Sequence, residues 1–385
     1  MKIILLRAGA VDPNVYKIAT SLSRKGFNLK LLVWDRQDTV PDDNISGYEI
    51  CRFRMKAPYN KYRIVLYLPF WWIYETYFLL KEEVDIIHAC DLDTLLPAIF
   101  AKIIKRSKLC YTIYDFYALN FSDGQPSLMK EYLMRIIGLI EKKGIGFADN
   151  LFLVDENRYE QVKGLKVNNL TYIYNTPYDH LNTIGKQEKK TTDELVIFYA
   201  GLLLKTRGIE GMLKCLDETN DVRLILAGNC PEEDLMEEIV SRSQNVEYIG
   251  TISYDEVIKK TFDSDVLFRF SDPKILETKH ASPNKLFEAM MCAKPIIVSD
   301  NSSMADVVRK EECGIIIQYG DVEAIRAAVL RLKNDPDYRR RLGANGRNAY
   351  EKRYSWDIME TRLIKAYNVL KDPKLIDGDL VNASD

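Results

Sequence analysis

Short apolar segments alternate with amphipathic helical segments along nearly the whole chain of 385 residues. A strand at Lys2–Leu6, a helix through Ser23 and a strand at Leu29–Trp34 form the first strand–helix–strand unit. The second half repeats the pattern from Leu195–Ala200 onwards, although the two halves are not similar in sequence. Such alternation is typical of parallel sheets with helices on both faces. The sequence therefore predicts an α/β fold with two Rossmann-like domains.

A polar segment separates the two halves. Gly185–Glu194 contains no apolar residue, which is typical of a linker between domains. We predict an N-terminal domain at 1–184, a linker at 185–194, a C-terminal domain at 195–354, a C-terminal helix at 355–371 that is a candidate to pack back on the N-terminal domain, and a flexible tail at 372–385.

Composition narrows the class of protein. Apolar residues make up 47% of the chain and charged residues 29%, as in an ordinary globular protein. The net charge of −2 argues against a dedicated nucleic-acid binder. Seven scattered cysteines without a C-x-x-C pair favour a reducing compartment. The apolar run at the start ends at Arg7, too early for a signal peptide, and there is no run of 18 apolar residues. We predict a cytoplasmic protein.

The most informative segment is Ser282–Asp300, S-P-N-K-L-F-E-A-M-M-C-A-K-P-I-I-V-S-D. Ser followed by Pro suits the start of a helix, and the later Pro ends it before a buried strand. Helical spacing assigns one set of residues to the core face: Leu286, Ala289, Met290 and Ala293. The same spacing places Asn284 and Glu288 on the opposite face.

A free helix N-terminus with Lys285 and Glu288 in its first turns can hold a phosphate and sugar hydroxyls. An ordinary capped surface helix is the alternative. A second helix start is predicted at Ser253 and Glu256, which have the spacing of a capping box.

The P-N-K-L-F-E string followed by K-P resembles the donor-binding segment of glycosyltransferase family 4. Two further strings resemble the same branch: D-P-N-V-Y-K-I-A through L-V-W-D-R at Asp12–Arg36, and H-A-C-D-L-D-T-L from His88. The resemblance implies the GT-B arrangement, in which two Rossmann-like domains face each other across a cleft. It also implies sugar transfer from a nucleotide-sugar with retention at the anomeric carbon, without a metal or another cofactor, the departing phosphate helping to deprotonate the acceptor.

The resemblance assigns roles to individual residues. The amides around Lys285 and Leu286 would take the pyrophosphate and Glu288 the ribose hydroxyls, with Asn284 in the same donor-binding motif. Two residues are candidates for the catalytic centre. His280 stands where many members have another glutamate near the transferred sugar. Asp115 is the polar residue kept from a Y-D-x-H-E string in which Tyr117 and Ala118 replace the last two letters.

Lys205 and Arg207 lie at the start of the helix after the first strand of the second half. Because ligands bind beyond the carboxyl ends of parallel strands, both are candidates to bind the donor. The family pattern has an arginine at the position of Leu202 and a lysine at that of Arg207. Two solvated cations are the alternative. The nucleotide base is expected on the loops at Gly228–Asn229 and Gly250–Ile252.

On the acceptor side, the candidates are Asp12, His88 and Asp91. A core histidine is an equally good interpretation of His88. Asp91 and Asp93 spell D-x-D, which also occurs in metal-dependent glycosyltransferases, but the surrounding string resembles the metal-independent branch. No pair of histidines has the spacing of metal ligands, so no metal site is predicted.

Arg52–Phe78 is a candidate membrane contact. Residues 52–63 contain five cations and no acid, and nine of the twenty residues 59–78 are aromatic, including Trp71 and Trp72. Cations beside aromatic rings suit the headgroup zone of an anionic membrane. A helix whose aromatic face packs into the core is the alternative.

The sequence thus predicts a metal-independent retaining glycosyltransferase of the hexosyltransferase type, acting in cell-surface glycan or lipid-linked saccharide synthesis. Its partners would be a nucleotide-sugar, a saccharide or lipid-linked acceptor and the inner face of the membrane, but not nucleic acid. Two alternatives remain: a non-catalytic partner subunit with the same fold, and a nucleotide-sugar 2-epimerase.

Overall fold

The computed structural model describes residues 1–9, 12–38, 47–58, 63–116, 128–181, 194–242, 244–275 and 284–372. The chain divides into two compact units: unit 1 is Met1–Tyr174 with Met359–Asp385, and unit 2 is Asn175–Ile358. Each unit is built on one parallel sheet flanked by helices, so the predicted α/β fold with two Rossmann-like domains is confirmed. Of the predicted linker 185–194, only Glu194 lies within the described residues.

The sheet of unit 1 has seven parallel strands in the order β3-β2-β1-β4-β5-β6-β7. Their bounds are β1 Lys2–Arg7, β2 Asn28–Trp34, β3 Glu49–Phe53, β4 Ile86–Cys90, β5 Lys108–Ile113, β6 Asn150–Leu153 and β7 Leu170–Tyr172. The helices between them are α1 Pro13–Arg24, α2 Leu68–Lys81, α3 Leu92–Lys105, α4 Leu128–Ile145 and α5 Tyr159–Val162. β1 and β4 are central and fully paired on both sides, which explains their continuous apolar sequence.

The aromatic stretch of unit 1 differs from its prediction. A 3₁₀ turn occupies Arg63–Leu66, and Pro69 lies in the first turn of α2, where its missing N–H costs nothing. Trp71 is fully buried and Trp72 half-buried, and both indole N–H groups donate to the backbone oxygen of Asp93, at 3.1 and 2.9 Å. The two tryptophans therefore fix α2 to α3, and the expectation that they face a membrane is wrong.

The sheet of unit 2 has six parallel strands in the order β10-β9-β8-β11-β12-β13. Their bounds are β8 Leu195–Ala200, β9 Val222–Ala227, β10 Val246–Tyr248, β11 Val266–Arg269, β12 Ile296–Ser299 and β13 Gly314–Ile317. The helices are α6 Ile209–Leu216, α7 Glu233–Ser241, α8 Tyr254–Asp263, α9 Asn284–Met291, α10 Ser303–Glu311, α11 Val322–Asn334 and α12 Pro336–Ala349. The predicted capping box is present, because Ser253 and Glu256 satisfy each other's backbone N–H groups at the start of α8.

Helix α9 is more deeply buried than its apolar spacing predicts. Leu286, Ala289 and Met290 lie in the core as expected, but Glu288 is only 1% exposed, so its placement on an outer face is wrong. The reason is packing on several sides, since α9 contacts α8, α12 and the turn Tyr350–Tyr354. Ala293, predicted to be buried, is exposed in a left-handed conformation just after the helix.

The last described helix, α13 (Trp356–Lys371), begins in unit 2 and belongs to unit 1 from Met359 onwards. In unit 1 its residues Leu363 and Tyr367 are fully buried, and the Met359 sulfur accepts a hydrogen bond from the backbone N–H of Tyr174. None of the described helices combines the length and the apolar character needed to cross a membrane.

Candidate active site

The carboxyl edge of the unit 2 sheet has a switch point between β8 and β11. The chain leaves β8 towards β9 on one side and later returns to β11 on the other. At such a point the loops after the two strands diverge and leave a crevice in which α/β proteins bind ligands. Gly201 follows β8 at this edge, and α9 lies between β11 and β12 in the chain.

Two glycines bring the loops after β8 and β9 into close contact. A Cβ on Gly228 would lie 1.8 Å from the backbone oxygen of Gly201, and Gly228 has a φ of +125°. Backbone hydrogen bonds fix both residues: Gly201 donates to Ala227 at 2.9 Å, and Gly228 donates to Gly250 at 2.7 Å. Only glycine at position 228 permits this approach. Gly228 and Gly250 belong to the two loops that are expected to hold the base. The arrangement places these loops beside the end of β8.

Of the two predicted cations after β8, Lys205 is already paired. Its ammonium group contacts the carboxylates of Asp234 and of Glu210, the latter at 3.4 Å, and its backbone N–H donates to Glu232 at 2.8 Å. The hydrogen bond to Asp234 raises the pKa of Lys205. A donor phosphate would have to compete with these carboxylates for Lys205.

The charges of Arg207 and Lys285 both act on Tyr199, although 78 positions separate the two cations in the chain. Burial raises the pKa of Tyr199, the penultimate residue of β8, and the positive charges of Arg207 and Lys285 both act against that shift. The Tyr199 hydroxyl itself donates to the backbone oxygen of Leu202 at 3.1 Å. The predicted cations Arg207 and Lys285 thus both lie within electrostatic reach of Tyr199, at the carboxyl end of β8.

Glu288 is the most unusual residue of this edge. Its Oε2 accepts a hydrogen bond from Lys285 Nζ at 2.8 Å, whereas its buried Oε1 has no hydrogen-bond partner among the residues described. Buried carboxylate oxygens are almost always satisfied, so an open one calls for a physical cause. Sequence reasoning did not find Tyr254: although 48% of this residue is exposed, partial burial and the charge of Glu288 raise the pKa of its phenol.

The first turn of α9 places backbone amides without a partner inside the helix beside these side chains. Asn284 begins the helix and is exposed, while the Leu286 side chain is buried. The first backbone N–H groups of any helix lack a partner within the helix and carry partial positive charge. The amides of Lys285 and Leu286 belong to this set. His280, Ser282 and Pro283 lie outside the described residues.

At the carboxyl edge of unit 1, charged side chains meet at the switch point between β1 and β4. Arg7 ends β1 and forms ion pairs with Asp12, at 3.0 Å, and with Asp91. Asp12 also caps α1 by accepting hydrogen bonds from two amides. Two of the three predicted acceptor-side residues therefore come together around Arg7, which sequence reasoning did not select. Its signal was a charge at the end of an otherwise apolar strand.

Asp91 has an unusual backbone and is held firmly. It has a φ of +64°, is 4% exposed, and its Oδ1 accepts hydrogen bonds from the amides of Tyr114, at 2.8 Å, and Asp115, at 3.3 Å. The second aspartate of the D-x-D string, Asp93, is buried in the first turn of α3. Both carboxylates are thus parts of the packed structure.

Asp115 is the accessible carboxylate of this edge. Its side chain is 63% exposed and accepts a hydrogen bond from the buried guanidinium of Arg158 at 3.1 Å. Partial burial and the charge of Asp91 raise the pKa of Asp115, while Arg158 opposes the shift. Arg158 was not predicted. Tyr117 and Ala118 lie outside the described residues.

His88 occupies the interior of unit 1 and not its edge. It is fully buried, its Nδ1 lies 2.6 Å from the Tyr367 hydroxyl and its Nε2 lies 2.6 Å from Thr112 Oγ1. Its ring stacks on Phe152. The assignment of His88 to the acceptor side is therefore not supported by its position, and the core interpretation is.

We expect His88 to make the protein acid-sensitive. Burial lowers the pKa of His88 from 6.5 to about 3. Between these two pH values the imidazole is protonated in the unfolded state but not in the folded state. The contribution of His88 to the free energy of unfolding is therefore present at neutral pH and decreases as the pH falls, by about 2 kcal/mol between pH 7 and pH 5. Urea unfolding of wild type and of His88→Gln at pH 7 and at pH 5 measures this decrease in the free energy of unfolding. Equal pH dependence in the two proteins would contradict the assignment.

Comparisons with known proteins agree with this architecture. The family model described as Glycosyl transferases group 1 matches residues 182–349. The capsular polysaccharide biosynthesis glycosyltransferase CapM of Staphylococcus aureus is 24% identical over 265 residues, which cover 63% of this chain and 57% of CapM. The match thus spans little more than half of that relative's length.

Solved structures share the fold over nearly the whole chain. Sucrose-phosphate synthase from Thermosynechococcus elongatus superimposes with a TM-score of 0.76 and 17% identity, covering 96% of this chain and 99% of that one. Anabaena HepE in complex with UDP-glucose does so with a TM-score of 0.68 and 16% identity, covering 96% and 99%. Residues 182–349 thus match the model of group 1 glycosyl transferases, and the fold is shared with solved glycosyltransferase structures over nearly the whole chain.

Proposed function

We propose that this chain is a retaining, metal-independent hexosyltransferase that transfers a sugar from a nucleotide-sugar to an acceptor hydroxyl. The observation that carries the proposal is the pair of Lys285 and the half-satisfied Glu288 at a helix N-terminus, with the charges of Lys285 and Arg207 both acting on Tyr199 at the end of β8. Two cations next to free helix amides suit a diphosphate. A carboxylate oxygen with an open position suits the adjacent hydroxyls of a ribose.

In the reaction, the bond between the anomeric carbon and the diphosphate oxygen breaks, and a bond from the acceptor oxygen to the same carbon forms. The acceptor proton passes to the departing phosphate. Arg207, Lys285 and the first amides of α9 stabilise the negative charge that develops on that phosphate. Asp115, the accessible carboxylate of unit 1, and His280 are the proposed catalytic side chains near the transferred sugar, while Asp12 and Asp91 shape the acceptor side through Arg7.

The acceptor is proposed to be a growing cell-surface glycan or a lipid-linked saccharide. The name of the relative CapM, which refers to capsular polysaccharide biosynthesis, supports this class. All seven cysteines are free thiols, which supports a cytoplasmic location for the enzyme. The stretch Arg52–Phe78 is proposed to contact the inner face of the membrane, through Arg54, Lys56 and the exposed Phe70, Ile73 and Tyr77 and not through its tryptophans.

Incubation with radiolabelled UDP-glucose and other nucleotide-sugars tests the function. UDP-glucose is the first donor to try because HepE, a neighbour in fold, was crystallised with it. We expect binding by calorimetry, slow release of labelled sugar and transfer when an acceptor is added. Isomerised nucleotide-sugar would identify an epimerase. Neither binding nor release with any donor would favour a non-catalytic subunit.

We expect the activity to persist in excess EDTA. Cationic side chains and helix amides occupy the place where a metal-dependent enzyme positions carboxylates, and Asp91 is already bound to Arg7 and two amides. Transfer rates with and without EDTA, measured on the same preparation, test the expectation. Complete loss of activity that Mn²⁺ restores would instead assign a metal to Asp91 and Asp93.

A further inference from the structure

Eleven large apolar side chains lie exposed on three helices of unit 1, out of eighteen such side chains in the described part of the chain. They are Phe70, Ile73, Tyr77 and Leu80 on α2, Phe100, Ile103 and Ile104 on α3, and Tyr132, Ile136, Leu139 and Ile140 on α4. We call this surface the three-helix face. Contiguous apolar patches of such size on a soluble protein mark sites of interaction.

The three apolar stripes lie side by side. Right-handed crossovers place α2, α3 and α4 on the same side of the sheet. The indole groups of Trp71 and Trp72 bind α2 to the backbone of Asp93 in α3. Helix α4 closes on α3 at Gly144, where a Cβ would lie 2.6 Å from the Leu95 side chain. The exposed residues therefore form one surface.

Among the described side chains of α2, α3 and α4, the exposed charges are all positive. The acidic side chains described on these helices are Glu75, Asp93 and Glu141, and all of them are buried. The exposed cations are Lys81, Arg135, Lys142 and Lys143. Burial also raises the pKa of Glu75, on the buried face of α2, well above its usual range. Apolar stripes edged by cations are complementary to an anionic lipid surface.

We propose that the three-helix face inserts into the interfacial region of an anionic lipid bilayer. The purpose of this docking rests on the proposed function, because it would bring the enzyme to a lipid-linked acceptor. A second copy of the chain fits the face less well, since a two-fold contact would set cations against the same cations. A groove of about 490 Å³ between β3 and α2, lined by Phe53, Arg54, Phe70 and Tyr77 among others, could admit part of a lipid chain.

Salt dependence distinguishes insertion of the three-helix face into lipid from a purely electrostatic attraction of Arg52–Phe78 to lipid headgroups. Attraction between charges is screened at high salt, whereas burial of apolar side chains is not. We therefore expect the full chain to co-sediment with vesicles of equal parts phosphatidylglycerol and phosphatidylcholine at ~0.1 M and still at ~1 M NaCl. Binding that disappears at high salt, or is absent at low salt, would overturn the proposal.

Two variants localise the contact. Ile103→Asp combined with Leu139→Asp should weaken vesicle binding at least about 100-fold, because two inserted side chains become charged. The matched control is Val240→Asp on α7 of unit 2, where Val240 is 61% exposed, and it should bind as wild type does. Thermal unfolding verifies that both variants are folded. Unchanged vesicle binding by the double variant would contradict the assignment of the face.

Two further measurements distinguish insertion into lipid from self-association and from binding of the donor. Analytical ultracentrifugation measures self-association of wild type and of the double variant. If wild type self-associates, the double variant does not, and neither protein binds vesicles, the face belongs to a contact with a second copy and the proposal is overturned. Calorimetric binding of the donor nucleotide should be equal in wild type and the double variant. Loss of donor binding in every protein, with vesicle binding kept, would refute the proposed function and leave the docking surface standing.

Discussion

Glu288→Gln is expected to weaken the binding of the donor nucleotide about 100-fold while leaving the protein as stable as wild type or more stable. The carboxylate can accept hydrogen bonds from two ribose hydroxyls, and an amide presents an N–H group where one acceptor is needed. Charge-assisted hydrogen bonds contribute about 1.5–3 kcal/mol each, and 100-fold in affinity is about 2.7 kcal/mol. In the free enzyme Oε2 is bonded to Lys285, whereas Oε1 is buried without a hydrogen-bond partner among the described residues, so we expect the relief of burying a charge to offset the weakened bond to Lys285.

The matched control is Glu311→Gln in α10. Glu311 is also a buried glutamate of unit 2, at 7% exposure, but both of its oxygens are bonded, Oε1 to the Tyr354 hydroxyl at 3.0 Å and Oε2 to Arg353. We expect this change to cost about 2 kcal/mol of stability and to leave donor affinity unchanged. Calorimetry and urea unfolding on both variants give the comparison. If Glu288→Gln destabilised the protein and bound the donor normally, Glu288 would be a structural residue.

Local patterns in the sequence were sufficient for the fold. The strand β8 was predicted with its observed bounds, because a continuous apolar run between loop residues identifies an inner parallel strand. The capping box at Ser253 and Glu256 was likewise predictable, since it depends on two residues three positions apart. These features require no knowledge of distant parts of the chain.

Features that depend on distant partners could not be predicted. His88 is buried against Tyr367, which is 279 positions away, and no local pattern indicates that contact. Trp71 and Trp72 were interpreted as surface aromatics because their partner, the backbone of Asp93, is on another helix. Glu288 was placed on an outer face because helical spacing does not reveal how many neighbours surround a helix.

The candidate site was predictable where its residues belong to a local motif, and was not predictable where they depend on distant partners. Family-like strings selected Arg207, Lys285 and Glu288, and in the structure the charges of both cations act on Tyr199. Arg7, Arg158 and Tyr254 were missed because each acts through a residue far away in the sequence. Single cations and a tyrosine carry no motif that would have singled them out.

Gly228→Ala is expected to lower the free energy of unfolding by about 3 kcal/mol or more and to abolish donor binding. The new Cβ would lie 1.8 Å from the backbone oxygen of Gly201, and neither backbone can withdraw without breaking the hydrogen bonds to Ala227 and Gly250. A steric overlap of this kind and a strained φ of +125° each cost about 1–3 kcal/mol. Because the loops after β8 and β9 would move apart, the carboxyl edge proposed to bind the donor would also change.

Gly250→Ala separates the two contributions to this cost. Gly250 has a φ of +69° but no atom within 4 Å of its Cβ position, so it tests backbone strain without overlap and should cost about 1–2 kcal/mol. Gly9→Ala, at an open position in unit 1, should change stability by less than about 0.5 kcal/mol. Thermal and urea unfolding of the three variants, with calorimetry of donor binding, rank the effects. If Gly228→Ala were no more destabilising than Gly250→Ala, the close approach of the two loops would not hold the donor edge in place.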